Sequence, residues 1–486
     1  MNFKMILRII GYILLGEAAM MLPPMLISLA RSETAAVYGF LYTIGIILVV
    51  AGALLLLTWN ARRERFYQRD GLVTTGLTWI IISAMGALPF FLSGAIPNYI
   101  DALFEMASGF TTTGSSILTE VESMAHGLLW WRSFSHWVGG MGVLVFLMAI
   151  VSLGGKGQGF SLHILRAESP GPSVGKMVPR IKDTAAILYW IYMALTALNI
   201  ILLLLGGMPL FEACCTAFGT AGTGGFGVKN DSIAGYSPYI QYVTTIFMLL
   251  FSVNFSIYYF MILKRFREAF ADEEFKLFWF TVAAATGLIV WNILPIFGSF
   301  EEAFRHASFA VGTVMSTTGY ATTDFNLWPS FSKAILVFLM LGGACAGSTG
   351  GGMKQVRYLL LFKSLRRNLH KSLHPTEVRA IHVNNRKMDE NVIANTNAYL
   401  IAYVSIIVIS FLIISLDGFD FETNITAVIA TFNNIGPGLS MVGPTGNFSA
   451  YSNLSKLVLT ANMLAGRLEI YPMLILLSKS TWRKAR

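Results

Sequence analysis

One short pattern recurs four times along this chain: FTTTG at 110–114, FGTAG at 218–222, MSTTG at 315–319 and FNNIG at 432–436. Each copy closes an apolar stretch of about 10–15 residues, at 99–110, 209–218, 300–314 and 421–432. Those stretches are too short to cross a membrane, and each lies between two longer apolar segments. Near-even repetition of such a block leaves the chain little freedom. It points to four copies of one hairpin-like unit around a shared axis.

The long segments number ten, at roughly 7–30, 37–59, 72–93, 129–153, 184–206, 239–263, 276–297, 331–362, 392–416 and 452–479. Each has the ~20 residues that a helix needs to span ~30 Å of hydrocarbon. With 55% hydrophobic and 13% charged residues, the chain is too apolar for a soluble protein of 486 residues. The expected fold class is therefore an all-α membrane protein with ten spanning and four re-entrant helices. Residues 1–70 form an extra helical pair. The four units are 71–183, 184–275, 276–390 and 391–486. The short stretches begin with Pro97 and Asp101, Pro209 and Glu212, Glu301 and Glu302, and Asp420 and Glu422, residue types that suit a helix N-terminus. Ordinary polar loops would have to imitate this four times over.

Most of the 35 basic residues fall in the N-terminal stub and in 60–71, 154–183, 264–276, 354–390 and 479–486. The positive-inside rule assigns these, and both termini, to the cytoplasm. The net charge of +9 follows from that rule and is not a nucleic-acid footprint, although the basic loops also suit anionic lipid or a partner protein. Lys4 and Arg8 precede an apolar run interrupted by Pro23-Pro24, which reads as a retained span, not a signal peptide. Cys214, Cys215 and Cys345 have neither metal-site nor disulfide spacing.

A single Thr-Thr-Gly is a turn. Four of them, each after a short apolar helix, can form a filter, because an ion that loses water needs replacement oxygens and backbone carbonyls supply them without fixed charge. The candidate strips are Thr111, Thr112, Thr113 and Gly114; Gly219, Thr220, Ala221 and Gly222; Ser316, Thr317, Thr318 and Gly319; and Asn433, Asn434, Ile435 and Gly436. Short helices pointing their C-termini at the axis would add partial negative charge.

A second candidate site is the run Gly342, Gly343, Ala344, Cys345, Ala346, Gly347, Ser348, Thr349, Gly350, Gly351, Gly352 inside the segment 331–362. Six glycines in eleven positions cannot hold a helix at ~1 kcal/mol each. A broken backbone at that depth must be buried in protein or line a cavity. The run lacks the order of a nucleotide-binding loop, and no strand precedes it. Arg467 lies inside the last span, where it must face the bundle and find acceptors. The two options are Glu469 or another carboxylate, and the freed carbonyls of 342–352. Either it braces the bundle or it latches the loop in the pore.

Six motifs carry a resemblance: WWRSFSHWVGGMG at 130–142, GTGGF at 222–226, STTGYATTD at 316–324, GGACAGSTGGGMK at 342–354, NNIGPGL at 433–439 and LAGRLEIYP at 464–472. With them the chain resembles the TrkH membrane subunits of bacterial Trk potassium uptake systems, within the Trk/Ktr/HKT superfamily. The resemblance extends over nearly the whole length. It implies a four-fold pseudosymmetric potassium pore whose filter glycines map to Gly114, Gly222, Gly319 and Gly436, with an intramembrane gate loop beneath. It implies residence in the bacterial cytoplasmic (inner) membrane, a homodimer, and a cytosolic ring of TrkA-type nucleotide-binding regulatory subunits docked on basic segments such as 363–387 and 479–486. Potassium is the permeant ion, and no organic cofactor is expected in the chain itself. Gly219 and Asn433-Asn434 depart from the hydroxyl residues of the other strips, and His136 stands where many relatives carry Gln.

Three functions are open to such a chain. A gated potassium channel leads. A symporter coupling potassium to protons or sodium is the alternative, with Glu17, Glu105, His136, Glu212, His306 and Glu469 as the titratable groups near membrane depth. A membrane enzyme lacks any metal cluster, nucleophile–base pair or cofactor motif. Arg132 and Lys456 are expected to snorkel at span ends, Trp130, Trp131 and Trp328 to form an interfacial belt, and Lys229, Asp231 and Asp324 to shape an outer rim.

Overall fold

In the computed structural model, residues 1–60, 67–142 and 181–482 are described. The end of the expected span at 143–153, most of the basic linker 154–183, residues 61–66 and the tail 483–486 lie outside them. Apart from a two-stranded hairpin, His382–Val383 with Arg386–Lys387, regular structure among the described residues is helical.

Among the described residues, six helices are long and apolar enough to cross a membrane, or seven when Pro238–Ser252 and Phe255–Ile262 are joined across their 92° bend. They include Phe3–Ala30, Thr34–Leu57, Gln68–Leu92, Glu273–Phe297 and Glu390–Asp417. Side chains such as Leu57, Trp291 and Ile401 stand exposed on these helices, the surface a bilayer would cover.

The short apolar stretches are the helices Tyr99–Phe110, Leu210–Gly222, Phe300–Ser316 and Phe421–Phe432. Three start at a side-chain cap, where Asn98, Ser299 and Asp420 accept from Ile100 N, Glu302 N and Thr423 N; the other starts after Pro209. All four carry an acidic residue in the first turn. Caps and acids satisfy amides that a helix start leaves without partners.

The long segments after the second, third and fourth short helices are interrupted. A break is expected in 331–362 at its glycine run, whereas 239–263 and 452–479 read as continuous spans, yet all three are broken. Pro238–Ser252 stops because Asn254 turns its side chain onto Ser256 N and starts a new helix. Ser330–Gly342 stops at the glycine run and helix resumes at Gln355. Asn453–Arg467 stops at Glu469 and Ile470, both left-handed at φ 53° and 73°, before Tyr471–Leu477, which carries Pro472 in its first turn. Apolar composition reports where a segment sits, not whether its hydrogen-bond ladder is unbroken, so hydropathy alone missed two of these breaks.

Several rim expectations also fail. Arg132 and Lys456 do not snorkel. Arg132 is buried against Glu105 at 2.5 Å, and Lys456 is buried against Asp101 at 2.6 Å. Trp131 is fully buried and donates to Gly86 O at 3.0 Å, and Trp328 is also buried, so neither belongs to an interfacial belt. An ionised group in an apolar surround is tolerated only when paired, and the partners here are acidic residues in the first or second turn of Tyr99–Phe110. The Glu105 carboxylate also accepts from Ser116 Oγ at 3.0 Å and Ile117 N at 2.9 Å. Removing one partner of a buried, hydrogen-bonded ion pair costs about 3–5 kcal/mol. Arg132→Ala is therefore expected to lower the thermal unfolding midpoint of the detergent-solubilised protein by several degrees. An unchanged midpoint would contradict the pair's structural weight.

Four glycine turns and a broken helix form the candidate ion pathway

The four short helices end in one and the same backbone turn. In each, an amide reaches back five residues to a helix carbonyl: Thr113 N to Ser108 O at 2.8 Å, Gly224 N to Gly219 O at 2.8 Å, Thr318 N to Thr313 O at 2.8 Å and Ile435 N to Ala430 O at 2.9 Å. This is the bond of a helix C-terminal Schellman turn. The residue before each donor is left-handed: Thr112 at φ 55°, Thr223 at 56°, Thr317 at 59° and Asn434 at 56°. The residue after each donor is a glycine with positive φ: Gly114 at 83°, Gly225 at 76°, Gly319 at 92° and Gly436 at 103°.

That alignment corrects the register of the second strip. Gly219, Thr220, Ala221 and Gly222 lie within the helix Leu210–Gly222, where Thr220 Oγ1 donates to Thr216 O at 2.8 Å. The turn falls on Thr223, Gly224 and Gly225. The sequence permits both registers, because Thr-x-Gly occurs at Thr220–Gly222 as well as at Thr223–Gly225, beside Thr112–Gly114 and Thr317–Gly319. Aligning on the preceding Phe and the first Gly shifted the second copy by three residues.

The turns meet in ring order. A Cβ on Gly114 would strike Gly224 O and lie 3.4 Å from Thr318 O, and one on Gly225 would strike Thr318 O. One on Gly319 would strike Ile435 O, and one on Gly436 would lie 3.0 Å from Thr113 O. Ser115 Oγ donates to Gly436 O at 2.8 Å and Asn434 Nδ2 to Thr113 Oγ1 at 2.9 Å, joining the first and fourth turns. Thr112, Thr113, Thr223, Thr317, Thr318 and Asn434 are all buried. Two of the four left-handed residues keep an oxygen with no hydrogen-bond partner among the described residues, Thr112 Oγ1 and Asn434 Oδ1. Buried polar atoms are rarely left so.

His136 braces this ring. Its Nδ1 lies 2.8 Å from Gly109 O, and Phe226 N donates to its Nε2 at 3.3 Å. A carbonyl on one side and an amide on the other define the neutral ring protonated at Nδ1.

The glycine run lies against the helix ends of the third and fourth turns. Gly351 N donates to Thr317 Oγ1 at 2.6 Å, and Gly350 and Gly351 abut Ser316 O and Asn433 O. The loop folds on itself through Ala344 N to Gly351 O at 3.3 Å and Gln355 N to Ala344 O at 3.1 Å. It is also tied to the bent helix pair, by Cys345 N to Ser252 O at 3.0 Å and by Phe255 N to Gly347 O at 3.1 Å. Ser348 Oγ donates to Cys345 O at 2.6 Å, while Gly343 and Gly352 take positive φ where they pack on each other. Lys354, at the end of the run, is buried and donates to Gly350 O.

Of the two options for Arg467, the carbonyls are observed. Its Nη1 donates to Thr349 O at 2.8 Å, and its Nη2 to Gly139 O at 2.5 Å and Gly140 O at 2.9 Å. One guanidinium thus joins the loop to the end of helix His126–Gly140. Glu469 instead pairs with Arg357, which lies over the Tyr399 ring at 4.0 Å. Two of the other titratable groups are held locally. Glu212 accepts from Tyr236 Oη at 2.6 Å, and His306 Nδ1 lies 2.9 Å from Thr322 Oγ1. The Glu17 carboxylate is buried without a hydrogen-bond partner among the described residues. Among those residues, no group of His, Cys, Asp and Glu could hold a metal ion.

Broken helices and converging glycine turns inside a bundle of apolar spans are the build of a multi-pass membrane transport protein. The comparisons with known proteins agree. A family model described as "TrkH: Cation transport protein" matches residues 41–484. The Trk system potassium uptake protein TrkH of Salmonella typhimurium is 35% identical over 494 residues, covering 100% of both chains. The Escherichia coli K12 protein of the same name is 34% identical with the same coverage. The crystal structure of the potassium transporter TrkH from Vibrio parahaemolyticus superposes with a TM-score of 0.86 at 32% identity, covering 99% of this chain and 100% of that one. The chain belongs to the TrkH family of cation transport proteins.

Proposed function

We propose that this protein takes up potassium across the bacterial cytoplasmic membrane through a gated, potassium-selective pore. The filter is the ring of turns Thr111–Gly114, Thr223–Gly225, Ser316–Gly319 and Asn433–Gly436, with potassium as the permeant substrate. The observation that carries this reading is the closed ring of four matching turns with unpartnered oxygens at Thr112 and Asn434. Oxygens left without protein donors suit a dehydrated monovalent cation. Each turn closes a short helix whose C-terminal dipole end faces the ring and favours positive charge.

In this reading the segment 342–352 is the gate and Arg467 its latch. The architecture is four pseudo-repeated units plus the N-terminal helix pair, with second helices that break at the depth of the gate. The basic segments face the cytoplasm, where the chain dimerises and meets a TrkA-type nucleotide-binding regulatory subunit. The relatives' names, potassium uptake proteins of a Trk system, support both the ion and the existence of partners. No specific observation favours coupled symport. Among the described residues, Glu105, Glu212, His306 and Glu469 are held by separate neighbours, His136 is held by the backbone of the ring, Glu17 has no hydrogen-bond partner, and no hydrogen bonds join these groups to one another as a relay.

The test is flux from purified protein in liposomes with K⁺, Rb⁺, Na⁺ and Li⁺, with and without the regulatory subunit. K⁺ and Rb⁺ are expected to move down their gradients ahead of Na⁺ and Li⁺, with a reversal potential following potassium alone. A reversal potential that tracks pH or sodium would replace the channel with a symporter.

A further inference from the structure

Three consecutive carboxylates open the helix Glu273–Phe297. They are Asp272, Glu273 and Glu274, and they hold two different objects. Glu274 is buried, and its Oε1 accepts from Ala346 N at 2.7 Å and Val356 N at 2.9 Å. Those amides lie on either side of the folded part of the glycine run, so one carboxylate oxygen clasps both sides of the loop. Asp272 and Glu273 hold Asn384, at the tip of the two-stranded hairpin. Asn384 N donates to Glu273 Oε1 at 2.9 Å, Asn384 Nδ2 to Asp272 Oδ2 at 2.6 Å, and Glu273 N to Asn384 Oδ1 at 2.9 Å. Lys363 fastens the same place from the side, pairing with Glu273 and donating to His382 O at 2.6 Å.

The hairpin is made to be held at this point. Asn384 and Asn385 are both left-handed, at φ 53° and 60°, as a two-residue hairpin turn of the primed type requires. Ile381 and Val383 pack under it against Leu360 and Ile393, while Asn385, Arg386 and Lys387 stand exposed. A displacement of the tip acts on Asp272 and Glu273, and the next residue in the same helical turn is the clasp on the loop. Within one turn of helix the backbone is rigid, so the two grips cannot move independently.

We propose that Glu274 is a positioning residue for the gate loop and that the Asn384 hairpin is its handle, so that movement of the hairpin loosens or tightens the loop through the turn 272–274. This rests on the reading of 342–352 as a gate. It also makes a claim that stands without ion flow.

Hydrogen exchange of the full chain in nanodiscs, read by mass spectrometry, tests that claim. Glu274→Ala is expected to speed exchange in peptides covering 343–357 at least tenfold. Glu274→Gln, whose amide oxygen still accepts, is expected to stay close to the parent. Asn384→Ala is expected to speed exchange in the hairpin and also in 343–357. Acceleration confined to 381–388 would overturn the proposal, and so would an unchanged loop in Glu274→Ala. Should Glu274→Ala fail to assemble, Asn384→Ala decides alone. In liposomes, each alanine variant is expected to raise resting K⁺ flux, and the double variant no further than Glu274→Ala. Additive increases would sink the shared path. A parent chain carrying no cation would remove the pore reading and leave the exchange result to decide the coupling.

Discussion

Arg467→Ala is expected to raise resting potassium flux in liposomes about tenfold or more, with the K⁺-to-Na⁺ ratio unchanged. Among the described residues, the guanidinium donates to the loop at Thr349 O and to the end of helix His126–Gly140 at Gly139 O and Gly140 O. A hydrogen bond to a charged group contributes roughly 1.5–3 kcal/mol. At ~1.4 kcal/mol per factor of ten, losing the bond to Thr349 would shift the loop's closed-to-open ratio by about one to two orders of magnitude. The effect should appear in flux and not in unfolding, because Arg467 is itself half-buried and the freed carbonyls can find water. The four turns keep their backbone bonds, so ion preference should stand. Arg467→Lys, a single point charge without the planar fork, is expected to fall between the two. Flux that is unchanged or lower in a folded Arg467→Ala variant would end the latch reading.

Gly225→Ala is expected to reduce potassium flux by at least about tenfold and to lower the preference for potassium over sodium. Two effects combine at this position. Its φ of 76° penalises any residue with a Cβ by roughly 1–2 kcal/mol. Its Cβ would also strike the carbonyl of Thr318, which belongs to the neighbouring turn and is backbone, so it cannot swing aside as a side chain can. Relief requires moving an oxygen of the proposed filter itself. Gly222→Ala is the informative comparison. Gly222 is helical and packs on His136 O, so its substitution should cost stability and yield while surviving protein keeps its ion ratio. Should Gly222→Ala change the ratio and Gly225→Ala leave it intact, the register assigned to the second turn would be wrong.

Much of this was legible in the amino-acid order, for identifiable reasons. The helices Tyr99–Phe110 and Phe421–Phe432 match the expected ranges residue for residue, because short apolar runs bounded by a capping side chain and a glycine turn leave few alternatives. The interruption within 331–362 was legible because glycines at that density cannot sustain a helix in any surroundings. The burial of Arg132, Lys456 and Trp131 was not, since a charge or indole near the end of an apolar segment looks the same whether it meets lipid headgroups or a carboxylate from a helix hundreds of residues away, as Asp101 is for Lys456.

By itself, then, the sequence determined that the chain crosses a membrane, that a short helix and a turn recur four times, that one helix must break, and that Arg467 must find acceptors inside the bundle. These are local properties, set by hydropathy, glycine content and the cost of an unpaired buried charge. Tertiary structure alone decided that the second turn begins at Thr223, that the spans at 239–263 and 452–479 are also broken, that Arg467 takes carbonyls while Glu469 goes to Arg357, and that Glu274 clasps the loop. Each depends on which of several chemically equivalent donors and acceptors the packed chain brings within about 3 Å, and that choice is made by long-range packing rather than by neighbouring residues.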